Sequence, residues 1–191
     1  MKKIVVFCGS SLGFNPIYKN AAIELGNYFV NNDITLVYGG GKIGMMGVLS
    51  ETILKKGGNV IGIIPSLLKK EEVVNKNVTE LIITKTMSER KVMMSKLVDG
   101  YISLPGGFGT LDELFEAITL IQTHKIGKFP IILVGTDFWE GLMEWVKKTL
   151  LDSFGNISPK DLDLIHLVDT EEEVIAILDS FYKNSELSPN F

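Results

Sequence analysis

Short apolar runs alternate along the chain with longer stretches in which apolar residues recur about every three to four positions. The runs are KIVVFC (3–8), TLVYG (35–39), NVIGII (59–64), ELIIT (80–84), GYISL (100–104), PIILV (130–134) and DLIHLV (163–168). Most are apolar at successive rather than alternate positions, as strands covered on both faces are. The helically spaced stretches are 16–31, 44–56, 88–97, 110–123, 139–154 and 170–182. Strand and helix in strict alternation imply right-handed crossovers and a mainly parallel sheet with helices on both faces. The pattern predicts a Rossmann-like, doubly wound α/β fold. With 191 residues the chain has room for one domain with a full core. That domain is expected over 1–183, with 184–191 a frayed tail.

In such sheets ligands bind beyond the carboxyl ends of the strands, where the strand order reverses. Three of the loops in that position are rich in small residues: CGSSLG, which holds Ser10; GGGKIGMMG, which holds Gly40 and Gly41; and PGGFGT, which holds Gly106, Gly107, Gly109 and Thr110. Residues 39–44 match G-x-G-x-x-G between a strand and a helix. A dinucleotide site also wants an acidic residue at the end of the next strand, and NVIGIIP ends in isoleucine and proline, which disfavours NAD. The Walker A spacing is absent too. Two readings remain for this loop: a nest of backbone amides for one phosphate, or a turn whose glycines are needed for positive φ.

The stretch PGGFGTLDE carries more. Its glycines clear the way for a close backbone approach, Thr110 adds a hydroxyl, and the helix dipole points at the same spot. Thr110-x-x-Glu113 is equally a capping box worth roughly 1 kcal/mol, although a cap does not need the Gly-Gly-x-Gly before it. Asp112 and Glu113 beside a phosphate would repel it. A carboxylate there makes sense where positive charge develops, as it does on the ribose when an N-glycosidic bond breaks. A balancing cation is available in MSERK (87–91), where Arg90 and Lys91 open a helix; the alternative for that pair is a solvated helical face. The polar loop 65–77 is expected to be a flap or a helical excursion.

Composition narrows the function classes. Hydrophobic residues make up 46% and charged ones 22%, as in ordinary globular proteins. The net charge of −4, with no basic run, argues against nucleic-acid binding and favours a small anion captured locally. Cys8 stands alone, and His124 and His166 have no metal-ligand spacing, so neither a disulfide nor a metal is expected. The N-terminal apolar run spans about five residues, short of the roughly 7–15 of a signal sequence, and no run nears the ~20 of a membrane span. A cytoplasmic protein without membrane contact is the expectation.

Taken together, in this order and at these spacings, VFCGSS, YGGGKIGMMG, MSERK and PGGFGTLDE resemble the LOG ("lonely guy") family over about residues 3–181. Its characterised members are cytokinin riboside 5′-monophosphate phosphoribohydrolases, and many relatives have been labelled "possible lysine decarboxylase". The resemblance implies hydrolysis of an N6-substituted adenosine 5′-monophosphate, or AMP itself, to free base and ribose 5-phosphate, without metal or cofactor. It places the catalytic pair on Arg90 and Glu113. Nucleotide binding falls on Lys91 and residues 107–110, with Ser10, Gly40, Gly41 and Gly106 in the neighbouring loops, and a substrate-contacting glutamate on Glu72. It also implies a homodimer or higher homo-oligomer with sites near the subunit interface. Two positions depart from the family pattern: Asp112, where many members carry a second glutamate, and Ser88, where plant members often carry histidine. Decarboxylation by pyridoxal phosphate needs a Schiff-base lysine and a partner for the pyridinium nitrogen. Lys42 and Lys91 lie in a loop and a helix start, without a recognisable motif for that cofactor. The rival class is a non-hydrolytic carrier of the same fold for a nucleotide or for the molybdenum cofactor.

Overall fold

Each of the seven apolar runs forms a strand. The computed structural model describes residues 2–68 and 73–184. In it β1 (Lys3–Phe7), β2 (Thr35–Tyr38), β3 (Val60–Pro65), β4 (Glu80–Thr84), β5 (Tyr101–Ser103), β6 (Ile131–Val134) and β7 (Ile165–Val168) make one sheet in the order β4-β3-β2-β1-β5-β6-β7. Every pairing among these strands is parallel. The first half of the chain builds outward from β1 through β2 and β3 to β4. The chain then crosses back to lay β5 on the other side of β1, so the order reverses between β1 and β5.

Alternation along the strands splits the core in two. Ile4 and Val6 of β1 join Leu36 and Tyr38 under α1 (Pro16–Asn31), α2 (Gly44–Lys55) and α7 (Glu171–Asn184). Val5 and Phe7 join Val37, Ile63 and Tyr101 under α3 (Met87–Leu97), α4 (Phe108–Gln122) and α5 (Thr136–Trp145). Strands buried on both faces account for the unbroken apolar runs, each fully covered Val, Ile or Leu being worth about 1.5–3 kcal/mol. Trp139, also fully buried, satisfies its indole by donating Nε1–H to the Val134 carbonyl at 3.2 Å.

Several boundaries differ from the sequence reading. Helix α5 starts three residues early and runs into a π-helical segment, Val146–Ser153, a single-turn helix α6 (Pro159–Leu162) precedes the last strand, and that strand begins at Ile165 rather than at 163. That turn is set by Ser158, whose amide and hydroxyl both donate to Asp161 Oδ2 at 2.7 and 2.9 Å, followed by proline at the first helical position. Helix α7 extends through Asn184, and the rest of the expected frayed tail lies outside the described residues. The described part of the 65–77 loop includes a short helical excursion. A 3-10 turn, Ser66–Leu68, follows β3, and Val74 makes an antiparallel bridge to Gly41. Among the described residues no helix is long and apolar enough to cross a membrane.

Candidate active site

At the reversal between β1 and β5 the two loops leaving those strands part and leave a cleft of about 480 Å³. Ser10, Gly106 and Gly107 line one part of it, and Phe14, Tyr18 and Phe138 supply an aromatic wall that nothing in the sequence pattern had marked. The loops are tied together by Gly9 N–H donating to the Pro105 carbonyl at 3.2 Å. A side chain at Gly106 would collide with the Thr110 hydroxyl and stand 2.9 Å from the Gly9 nitrogen, so close packing requires glycine there.

The second glycine loop packs onto the first. Met45 N–H donates to the Gly9 carbonyl, Lys42 N–H to the Val73 carbonyl, and Asn75 N–H bonds the Gly40 carbonyl. Gly40 and Gly44 take the left-handed φ of 75° and 63°, and a Cβ at Gly44 would overlap the Ser10 backbone. The turn reading of this loop thus has a physical basis, and two of its amides are already engaged by the protein.

At the third loop the capping-box reading fails. Helix α4 starts at Phe108, with Gly107 as an N-cap residue in extended conformation, so Thr110 lies inside the first turn rather than at the cap. Glu113 sits a turn further on, and its carboxylate goes elsewhere. Helix α4 has no side-chain cap and no acidic residue in its first turn. The orphan amides and the positive end of the dipole therefore face outward beside Gly106 and Gly107. Thr110 is buried behind Gly106.

Arg90 and Glu113 meet in the structure although they lie on different helices. Arg90 Nη1 is 2.7 Å from Glu113 Oε1, and both residues are only 8% exposed. Arg90 Nε–H also donates to the Ile63 carbonyl at 2.9 Å. The solvated-face alternative for Arg90 is thereby excluded. What aims it is a cap that the sequence reading overlooked, Thr86-x-x-Glu89. Thr86 Oγ1 accepts from Glu89 N–H at 3.1 Å and Glu89 Oε2 accepts from Lys85 N–H at 2.7 Å, which starts α3 at Met87 and turns Arg90 inward.

Burial pushes the Glu113 carboxyl above its ordinary range, against the pull of the Arg90 charge and hydrogen bond. Lys91, beside Arg90, takes up the neighbouring acids. Its ammonium bonds both oxygens of Asp112, at 3.1 and 3.0 Å, and also pairs with Glu116. Burial alone would lower the Lys91 pKa, but the bonds to Glu116 and Asp112 raise it. The crowding of two acids at 112 and 113 is resolved by giving each its own cation. Cys8, just after β1, has its thiol pushed far up, by burial first and by the charge of Glu113 second, which disfavours the nucleophilic thiolate.

Of the positions singled out in the sequence, Arg90, Lys91 and Glu113 come together across α3 and α4. Ser10, Gly106 and Gly107 border the switch-point cleft, and Gly109 and Thr110 lie on the first turn of α4. Gly40 and Gly41 form the bridge to residues 73–75. Glu72 lies outside the described residues.

Comparison with known proteins adds three findings. A family model described as "possible lysine decarboxylase" matches residues 46–178. The chain is 39% identical over 186 residues to cytokinin riboside 5′-monophosphate phosphoribohydrolase LOG1 of Arabidopsis thaliana, covering 97% of this chain and 86% of that one, and 40% identical over 181 residues to LOG3 of the same plant, covering 94% and 83%. Among solved structures it resembles the molybdenum cofactor binding protein of Rippkaea orientalis, with a TM-score of 0.71 and 23% identity over 94% of this chain and 97% of that one, a likeness of fold.

Proposed function

Because the chain belongs to the LOG family, we propose that it is a nucleoside 5′-monophosphate phosphoribohydrolase, which cleaves the N-glycosidic bond of an N6-substituted adenosine 5′-monophosphate, or of AMP. The observation that carries this reading is the buried Arg90–Glu113 pair, 2.7 Å apart, a turn inside a helix whose glycine N-terminus is left uncapped.

In the proposed reaction the substrate phosphate lies on the first-turn amides of α4 around Gly106, Gly107, Gly109 and Thr110, bordered by Ser10 and by the loop of Gly40 and Gly41. Arg90 anchors and polarises the nucleotide. As the bond from C1′ to the base breaks, the ribose becomes oxocarbenium-like, and ionised Glu113 stabilises that charge and orients a water. The water oxygen bonds to C1′, the base leaves with the bonding electron pair and takes up a proton, and ribose 5-phosphate remains. Lys91, assigned to nucleotide binding, also pairs with Asp112 and Glu116, so that Glu113 is the acid left to act at the sugar. Glu72 is assigned a substrate contact.

The label of the family model asks for different chemistry. A lysine forming a Schiff base must give up its proton, and Lys91 is held as an ammonium by two carboxylates, which argues against decarboxylation there. A non-hydrolytic carrier role would leave the Arg90–Glu113 pair without a task. We further assign a homodimer, acting in the cytoplasm, with the sites near its interface. Support for an interface comes from apolar side chains exposed on the two helices that carry the pair: Met87 and Val92 on α3, Phe108 and Phe115 on α4.

The test is incubation with AMP and with N6-isopentenyl-AMP, followed by chromatography for the free base and ribose 5-phosphate. Release of both products is expected, and binding without release would establish the carrier instead.

A further inference from the structure

We propose that Gly39 is a positioning residue, and that it is glycine because the Arg90 guanidinium occupies the space its side chain would fill. This rests on the hydrolase reading only for its kinetic consequence. Strands β2 and β3 run in register to the pair Tyr38 and Gly62. Gly39 and Ile63 are the next residue on each strand, at the point where the two chains part. Arg90 reaches up from α3 into that fork. Its Nε–H is held by the Ile63 carbonyl at 2.9 Å, its Nη1 by Glu113 at 2.7 Å, and its Nη2 lies against the Gly39 backbone. A Cβ at Gly39 would overlap Nη2 and stand 3.6 Å from Cζ and 3.1 Å from Met46 Sδ.

Two features separate this from an ordinary loop glycine. Gly39 is not among the residues of positive φ, unlike Gly40 beside it, so an alanine would not meet the penalty of a left-handed φ. The obstruction is the far end of a side chain, which elsewhere would swing aside at little cost. Here the guanidinium is fixed at two other nitrogens, so making room means giving up the Ile63 bond, the Glu113 bond or both. The seat therefore sets the direction from which Glu113 is charged and held. A displacement of about 1 Å is enough to cost roughly 100-fold in rate at a site that depends on orientation.

The test uses the full chain as wild type, Gly39→Ala, Arg90→Ala and the double variant Gly39→Ala/Arg90→Ala. In urea unfolding, Gly39→Ala is expected to lower the midpoint in the wild-type background by clearly more than in the Arg90→Ala background, where only Met46 Sδ remains close to the methyl group. In AMP hydrolysis, Gly39→Ala is expected to lose about 100-fold in kcat with KM altered less than about threefold, and to add no loss to that of Arg90→Ala. Equal destabilisation in both backgrounds, or wild-type midpoint and kcat in Gly39→Ala, overturns the proposal. Should Gly39→Ala fail to fold, the double variant decides: recovery of folding supports the seat, and failure overturns it. If the wild type releases base from no 5′-monophosphate, the hydrolase reading fails, while the unfolding cycle still decides the role of Gly39.

Discussion

Replacing Glu113 by glutamine removes one negative charge and almost no volume, at the place where the proposed reaction needs that charge. A carboxylate about 4 Å from a developing unit charge is worth about 4 kcal/mol at an effective dielectric constant near 20. Arg90, 2.7 Å from Glu113 Oε1, already engages part of that charge. Taking between half and all of it gives about 2–4 kcal/mol, or about 30- to 1000-fold in kcat. The glutamine carbonyl can still accept from Arg90, so the two helices stay joined. The guanidinium is nevertheless left without its counter-charge in a site only 8% exposed, and some stability is lost, less than the roughly 3–5 kcal/mol that follows outright removal of a buried partner. The assay is release of free base at saturating AMP for both proteins, with urea unfolding to confirm that Glu113→Gln is folded and calorimetric binding of AMP to confirm that it still takes the nucleotide. A kcat within about threefold of wild type in a folded, AMP-binding variant would refute the assignment of Glu113 to the reacting sugar.

Arg90→Ala should be severely impaired, and Arg90→Lys rescued only in part, because an ammonium cannot bond Ile63 and Glu113 in the planar fork that the guanidinium provides; kcat/KM of the two variants checks this, and wild-type values in Arg90→Ala would contradict it. Adenosine should be at least about a hundredfold poorer than AMP, since two charge-assisted bonds to a phosphate are worth about 1.5–3 kcal/mol each, with ADP and ATP also poor; equal kcat/KM for adenosine and AMP would mean that the glycine loops hold no phosphate. Because burial raises the Glu113 carboxyl above its ordinary 4.5, the acid limb of kcat/KM should lie above that value and vanish in Glu113→Gln. Between 4.5 and the raised folded value the folded chain keeps a proton that the unfolded chain has released, so the stability of wild type relative to Glu113→Gln should fall as pH rises through that window. Urea midpoints of both proteins across pH measure this, and a difference that grows with pH would contradict it.

Periodicity carried the sheet. A strand covered on both faces has no polar alternation to lose, so its run of apolar residues is legible without knowing its neighbours, and all seven strands lie where the runs do. The helix ends were less legible because they depend on single hydrogen bonds. Thr110-x-x-Glu113 and Thr86-x-x-Glu89 have the same spacing, yet only the second caps a helix, since the glycines before Thr110 let α4 begin at Phe108, with Gly107 rather than Thr110 as its N-cap. Ser158 and Asp161 likewise set a single-turn helix, α6, ahead of the last strand where the apolar pattern marked no element.

The sequence by itself determined the fold class, the three glycine loops at the carboxyl ends of their strands and the family to which their spacing belongs, because each of these is written in local pattern. Only the tertiary structure decided which of two adjacent acids faces which cation. Asp112 and Glu113 are neighbours in the chain, but a helix turns successive side chains by about 100°, and that rotation sends one to Lys91 and the other to Arg90. The burial that raises the carboxyl of Glu113 and the fork of β2 and β3 that receives Arg90 arise from strands and helices separated by tens of residues. Long-range packing of this kind fixes charge, distance and dielectric together, and no local pattern of residue types encodes it.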